Sequence, residues 1–485
     1  MVMNASSPYV FSAGCIFAAL FAYGLGANDV ANAFGTSIGS GALTMRVAVV
    51  IASVMEVVGA VTLGAGVADT LTRHISYLER EDCWDCHGSE AMRGLYEIGM
   101  VYALASGSAF LLAATLFGLP VSSTHTIVGA VLGMTAVATH VFCIKWLWPG
   151  LMKIVASWFV SPLLAGAISV LLQFGIRRLV LEARTPLRRA YVALPVLSGS
   201  TIAVLAMLIL YQQSSLALWV QASIALGSGL AVWGLVQLLL LSRVKRHVES
   251  SSIEMKGLRV ENSGGGSGVG SAQGSLEEGE GEEENGEVEG ASDAKAGPGA
   301  QSEEANLLSG GATEELERAK MVFMYLQILT ATLKSFAHGA NDVANAAGPF
   351  AAVAGLYAGQ DPCSITTTIW VLLLCGAGIV LGLSISGHHV IKTIGKDLTA
   401  IDFPTGFSIE LGSTMSVVLA SCTGMPVSST HCQVGSVIFI GMYENGAKHV
   451  KWSMLNKIIA SWVVTVPVSA LCAGGLTYVT LLFIN

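Results

Sequence analysis

The chain has 485 residues, 53% of them hydrophobic and only 12% charged, with a formal net charge of −8 at pH 7. A soluble globular domain carries roughly a quarter charged residues, so a wholly soluble protein is excluded and much of the chain belongs in lipid. Most of the acidity comes from one central stretch, and no nucleic-acid partner is expected from it.

Apolar runs of about 20 residues cross a hydrocarbon core as helices, and hydropathy predicts an all-α polytopic membrane protein with about twelve such segments. In the first half they lie near Tyr9–Phe34, Val47–Leu71, Ile98–Gly118, Val121–Cys143, Leu151–Ile176, Tyr191–Tyr211 and Leu216–Leu241. The first runs straight into the polar Asn28 without a small-residue cleavage site, so no cleavable signal peptide is expected. The second half gives Met321–Ala347, Thr367–Val390, Phe407–Cys422, Val427–Tyr443 and Trp452–Phe483.

Three regions follow: a first membrane half (1–242), a Gly/Ser/Glu-rich acidic segment (243–320) and a second membrane half (321–485). The central segment, most acidic from Glu277 to Glu289, buries too little apolar area to offset the entropy of ordering, so it reads as a disordered linker.

Basic residues set the orientation. With the N-terminus outside, the inward loops hold Arg46, the Arg177–Arg189 cluster, Arg243 through Lys320, Lys392, Lys396, Lys448, Lys451 and Lys457. The outward loops hold Arg73, Arg80, Arg93, Lys145 and Lys153. This bias predicts both termini outside and a cytoplasmic central loop. The one glycosylation sequon, at Asn4, falls on the outer side, close to the membrane. Cys83 and Cys86 stand in a polar outer loop and fit a local disulfide, two plain thiols or, as a remote reading, a haem or redox site.

Two polar phrases are each written twice. Gly-Ala-Asn-Asp-Val-Ala-Asn-Ala runs from Gly26 to Ala33 and from Gly339 to Ala346, and Pro-Val-Ser-Ser-Thr-His from Pro120 to His125 and from Pro426 to His431. The copies of the first phrase fall in segments one and eight, which enter the membrane from opposite faces. Segments one to five (9–176) therefore mirror eight to twelve, the inverted-topology repeat of many secondary transporters.

On a helix Asn28, Asp29 and Asn32 project near one face, as do Asn341, Asp342 and Asn345. Glycines around the first copy invite unwinding; carboxylate, amide oxygen and freed carbonyl would make a hard-cation site. Pro120 and Pro426 suit a first helical position, which sets Ser122, Ser123, Thr124, Ser428, Ser429 and Thr430 beside free backbone amides, an anion site. The segments that begin there read as re-entrant or broken. Neither phrase holds Arg or Lys, so an oxyanion beside Asp29 and Asp342 needs bound cations or a proton of its own. Phosphate keeps a proton near neutral pH and sulfate does not, so the carboxylates would discriminate against sulfate.

These four motif copies resemble the inorganic phosphate transporter (PiT) family of sodium- or proton-coupled symporters, across both hydrophobic halves. The strings Phe34 through Thr44 and Gly406 through Leu411 look like its eukaryotic branch. The resemblance implies phosphate held between the repeats by Ser122, Ser123, Thr124, Ser428, Ser429, Thr430, Asp29, Asn32, Asp342 and Asn345. Na⁺ would lie by Asn28, Asp29, Asn341 and Asp342, and Glu56 and Glu410 match acidic positions that are candidates for coupling. Lys334 departs from the motif; its preferred reading is a side chain snorkelling to the cytoplasmic edge, the other a charge near the permeation path. His125 and His431 read as packing or hydrogen-bonding residues.

The function expected is sodium-coupled symport of inorganic phosphate by alternating access, in the plasma membrane, without enzymatic activity or a resident cofactor. Homo-oligomerisation is left open. Proton coupling is the alternative, followed by a phosphate-sensing receptor that transports little.

Overall fold

The computed structural model describes residues 7–84, 86, 90–148, 150–251, 299–392 and 401–484. It is helical throughout, with an isolated bridge between Ser76 and Ile144. The first half comprises α1 (Pro8–Gly39), α2 (Met45–Arg73), α3 (Glu90–Leu116), α4 (Ser123–Ala138), α5 (Leu151–Ile176), α6 (Pro186–Gln213) and α7 (Leu218–Leu235). The second comprises α8 (Gly299–Tyr357), α9 (Ile369–Ser386), α10 (His388–Lys392), α11 (Phe403–Cys422), α12 (Ser429–Asn445) and α13 (Trp452–Ile484).

Each of the twelve expected segments coincides with a helix. Among the described residues, eight helices are long and apolar enough to cross a membrane. At 16 and 17 residues, α4 and α12 are shorter than the roughly 20 residues that a span needs.

Two expectations are corrected. Beyond a π turn at Val236–Leu240 the chain stays helical to Ser251, where Val244 and Val248 are buried with Val322 and Phe323 of α8. Helix α8 in turn begins at Gly299, so helix reaches into both ends of the segment read as a linker. Its central part, 252–298, lies outside the described residues, as does Asn4. The glycines of the first motif do not unwind α1, which is continuous from Pro8 to Gly39. They serve close approach instead: a Cβ on Gly26 would fall 1.8 Å from the Ile379 carbonyl oxygen of α9, and one on Gly382 the same distance from that of Tyr23. The contact between α2 and α8 repeats the device, with Gly59 against Phe336 O and Gly339 against Glu56 O.

The packing is reciprocal. Helix α1 packs on α3 and α9 as α8 packs on α11 and α2, and α4 lies against α13 as α12 lies against α5. The α6–α7 hairpin stands outside this scheme and rests on α8.

Cys83 and Cys86 do not pair with each other. Cys83 is bonded to Cys143 and Cys86 to Cys363, so both sulfurs are taken up in bridges and neither is left to attach a haem. The second bridge ties the α2–α3 loop of one half to the α8–α9 loop of the other across 277 residues. A specific protease site inserted within 252–298 tests it. After cleavage the halves should run as one band without reductant and as two with it, and Cys363→Ser should part them without reductant. Separation of the unsubstituted halves without reductant would contradict the bridge.

Candidate functional site

The centre is built where α4 and α12 begin. Gly118 and Gly424, at φ +64° and +60°, turn the chain into short extended leads, a backbone region open to glycine at little cost. The helices start later than the prolines suggest. Ser122 and Ser428 are the N-caps, each accepting a hydrogen bond at 3.2 Å from the backbone of His125 or His431. Pro120 and Pro426 precede them by two residues.

Asparagines of the other motif fix the leads. Asn28 donates to Leu119 O (3.0 Å) and Thr115 Oγ1 (3.2 Å) and accepts from Val121 N (3.0 Å). Asn341 donates to Val427 O at 2.8 Å. The leads then bind each other's helices: Thr124 donates to Val427 O at 3.1 Å and Thr430 to Val121 O at 3.2 Å. Two helix N-termini from opposite halves thus abut, with their unused amides and positive dipole ends converging.

The carboxylates sit on these N-termini. Ser123 Oγ donates to Asp29 Oδ2 at 2.6 Å, and Ser429 Oγ to Asp342 Oδ2 at 2.5 Å. Asn345 of the second half reaches Ser123 Oγ and Thr124 Oγ1 of the first, both at 3.2 Å. Ligand atoms of Asp29, Asp342 and His338 all lie within 4.8 Å of one another, and all three residues are buried. Asp29 Oδ1 and Asn345 Oδ1 have no hydrogen-bond partner among the described residues. Buried acceptors left without donors are costly, and oxygens grouped this way suit a hard cation. The backbone of Asn32 lies in α1, but its side chain is outside the described residues.

His338 shares a helical stripe with Lys334 and Asp342, one turn before the latter, a spacing that by itself assigns it no role. Its Nδ1 lies 2.9 Å from Glu56 Oε2, and its Nε2 lies 2.8 Å from Asp342 Oδ2 without the alignment of a hydrogen bond. Ser335 donates to the other Glu56 oxygen at 3.0 Å. Glu56 is therefore joined to the centre through one imidazole.

Glu410 stands apart from the two aspartates. It takes hydrogen bonds from Thr36 (2.6 Å), Ser37 (2.5 Å), Gln327 (3.3 Å) and Thr330 (2.8 Å). Neither glutamate is a solvated helix-end acid; both are wholly buried. Lys334 does not snorkel: it is 3% exposed and donates to Gln433 Oε1. His125 and His431 do pack: they meet each other edge to face at 4.5 Å, and lie against Trp158 at 3.8 Å and Trp462 at 3.7 Å respectively.

Residues 25–473, which include this whole centre, match the model of the phosphate transporter family. The chain belongs to that family. Sodium-dependent phosphate transporter 1-A of Danio rerio is 30% identical over 606 residues, spanning 92% of this chain and 91% of the relative. Inorganic phosphate transporter 2-1, chloroplastic, of Arabidopsis thaliana is 33% identical, over 96% of this chain and 71% of the relative. A solved structure described as the sodium-dependent phosphate transporter superposes with a TM-score of 0.77 at 27% identity, covering 98% of this chain and all of that one. The protein is an integral membrane transporter, not an enzyme.

Removing one hydrogen bond to a buried charge costs about 1.5–3 kcal/mol. Ser123→Ala and Ser429→Ala should therefore each lower kcat/KM for phosphate uptake by roughly 10- to 100-fold while leaving the detergent-solubilised protein monodisperse. Thr126→Ala, which removes only a bond to the Ser122 carbonyl within α4, should change uptake little. Equal uptake by all three variants would contradict a shared centre.

Proposed function

We propose that this chain is a sodium-coupled symporter of inorganic phosphate working by alternating access. The observation that carries the reading is the meeting of Asp29 and Asp342, one from each motif copy, at two abutting helix N-termini. Backbone amides there, with Ser122, Ser123, Thr124 and their counterparts Ser428, Ser429 and Thr430, suit an oxyanion. The aspartates would repel that oxyanion unless cations came with it, so in this reading bound Na⁺ is a condition for phosphate to bind. Asn28 and Asn341 hold the helix leads in register beside the Na⁺ that they would help Asp29 and Asp342 to bind, and Asn341 donates to Asp342 Oδ1 at 2.7 Å. The relative from Danio rerio and the superposed structure are both described as sodium-dependent.

The reciprocal packing supports an inverted repeat, in which α1–α5 and α8–α13 exchange roles as the centre is exposed to either side. The disulfides lie in the α2–α3, α4–α5 and α8–α9 loops, which supports an oxidising environment at that end. Both termini would then be outside, the central segment cytoplasmic and the membrane the plasma membrane, in accord with the basic residues.

Proton coupling has one observation in its favour: the imidazole of His338 set between Glu56 and Asp342 makes a chain of proton-carrying groups into the centre. Phosphate uptake into proteoliposomes separates the readings. With Na⁺ replaced by choline at fixed pH, uptake should fall to background. Uptake driven by a pH gradient alone would overturn sodium coupling and turn the carboxylates into proton carriers.

A further inference from the structure

The duplication is unequal beside the centre. Aligned on the repeated motifs, Lys334 corresponds to Phe21, Gln433 to Ile127, Ser413 to Gly107 and Glu410 to Leu104. In the first half these positions belong to one apolar cluster, and the Phe21 ring lies where a Cβ on Gly107 would be, 2.5 Å away. In the second half the same positions hold an ammonium, a carboxamide, a hydroxyl and a carboxylate, all buried.

The polar set is connected. Lys334 donates to Gln433 Oε1, which also accepts from Ser413 Oγ at 3.1 Å. One turn earlier on α8, Thr330 donates to Glu410 Oε2 at 2.8 Å, and one turn earlier on α11 than Ser413 is Glu410 itself. The ammonium and the Glu410 carboxylate thus occupy successive rungs between α8 and α11, about 5.4 Å of helix rise apart. Lys334 is the one buried Lys or Arg among the described residues, whereas Asp29, Glu56, Asp342 and Glu410 are all buried on α8 or on helices packed against it.

A compact, desolvated ammonium with three donors presents to oxygen ligands much what a bare monovalent cation presents. A buried carboxylate needs such a charge nearby. Sodium that binds there must arrive and leave in every cycle. The ammonium of Lys334 is tethered.

We propose that Lys334 is a resident cation: it neutralises Glu410 in place of a mobile one, so each phosphate is moved with one cation fewer than the same scaffold would carry without it. This rests on the symport reading above, and it makes Lys334 a determinant of stoichiometry rather than of phosphate recognition.

The test is the charge moved per phosphate, from the reversal potential of uptake in proteoliposomes of the full chain, together with the Hill coefficient for Na⁺. K334M should move one more positive charge per phosphate and raise the Hill coefficient, and K334R should match the parent in both. An active K334M with parental values overturns the proposal. Should K334M be inactive, equilibrium binding of radioactive sodium to the solubilised protein gives the count, with one more ion per chain expected and an equal number overturning the idea. Should it not fold, the exchange K334Q/Q433K supplies the ammonium from the facing helix. Parental stoichiometry is then expected, and an extra charge refutes the inference. A parent protein that ignores Na⁺ and follows a pH gradient defeats sodium coupling alone, because the charge count still decides the role of Lys334.

Discussion

The constraint on which this architecture turns is the burial of two carboxylates, Asp29 and Asp342, where two helices begin inside the membrane. Within hydrocarbon no water can satisfy backbone groups, and the first amides of α4 and α12 have no partners in their own helices. Serines cap some of these groups, asparagines from the opposite motif hold the incoming strands of chain, and each aspartate takes a hydroxyl from the turn it faces. The helices are short because they start at the centre rather than pass through it. Both halves need each other for this, since Thr124 and Thr430 bond carbonyls across the junction.

The surrounding helices make that junction possible by letting backbones come unusually close. Gly26 with Gly382, and Gly59 with Gly339, remove the side chains that would keep α1 from α9 and α2 from α8. The motif glycines are thus contact points of continuous helices, and the polar residues that follow them are delivered to the centre on regular secondary structure. Around the centre the halves diverge. Towards one side lies the apolar cluster of Phe21, Leu25, Leu104, Ile127 and Ile379; the corresponding positions of the other half carry Lys334, His338, Glu410, Gln433 and Glu56. Duplicated backbones with unequal linings can differ in how each side seals and which ions each admits.

Much of this was legible in the sequence, for physical reasons. Segment positions follow from lipid's demand for long apolar runs, and the paired motifs stand out because polar groups are rare in such runs. What could not be read is whatever depends on contacts between distant segments. Glycine in a membrane helix signals either a break or a close approach, and only the neighbour, here Ile379 or Glu56, decides which. Cys83 and Cys86 carry a local spacing, yet their partners are 60 and 277 residues away. A lysine within a segment can snorkel or turn inward, and Gln433, far along the chain, turns Lys334 inward. Helix at 243–251 is similarly a matter of partner: Val244 and Val248 find α8.

The central claim is that one anion and its cations share the junction of the two halves. Cryo-electron microscopy of the protein in nanodiscs with phosphate and Na⁺ tests it most directly. The account predicts tetrahedral density between the N-termini capped by Ser122 and Ser428, with ion density against Asp29 and Asp342, both lost when phosphate and Na⁺ are omitted. Phosphate density elsewhere, with the junction unchanged by either ion, would contradict it.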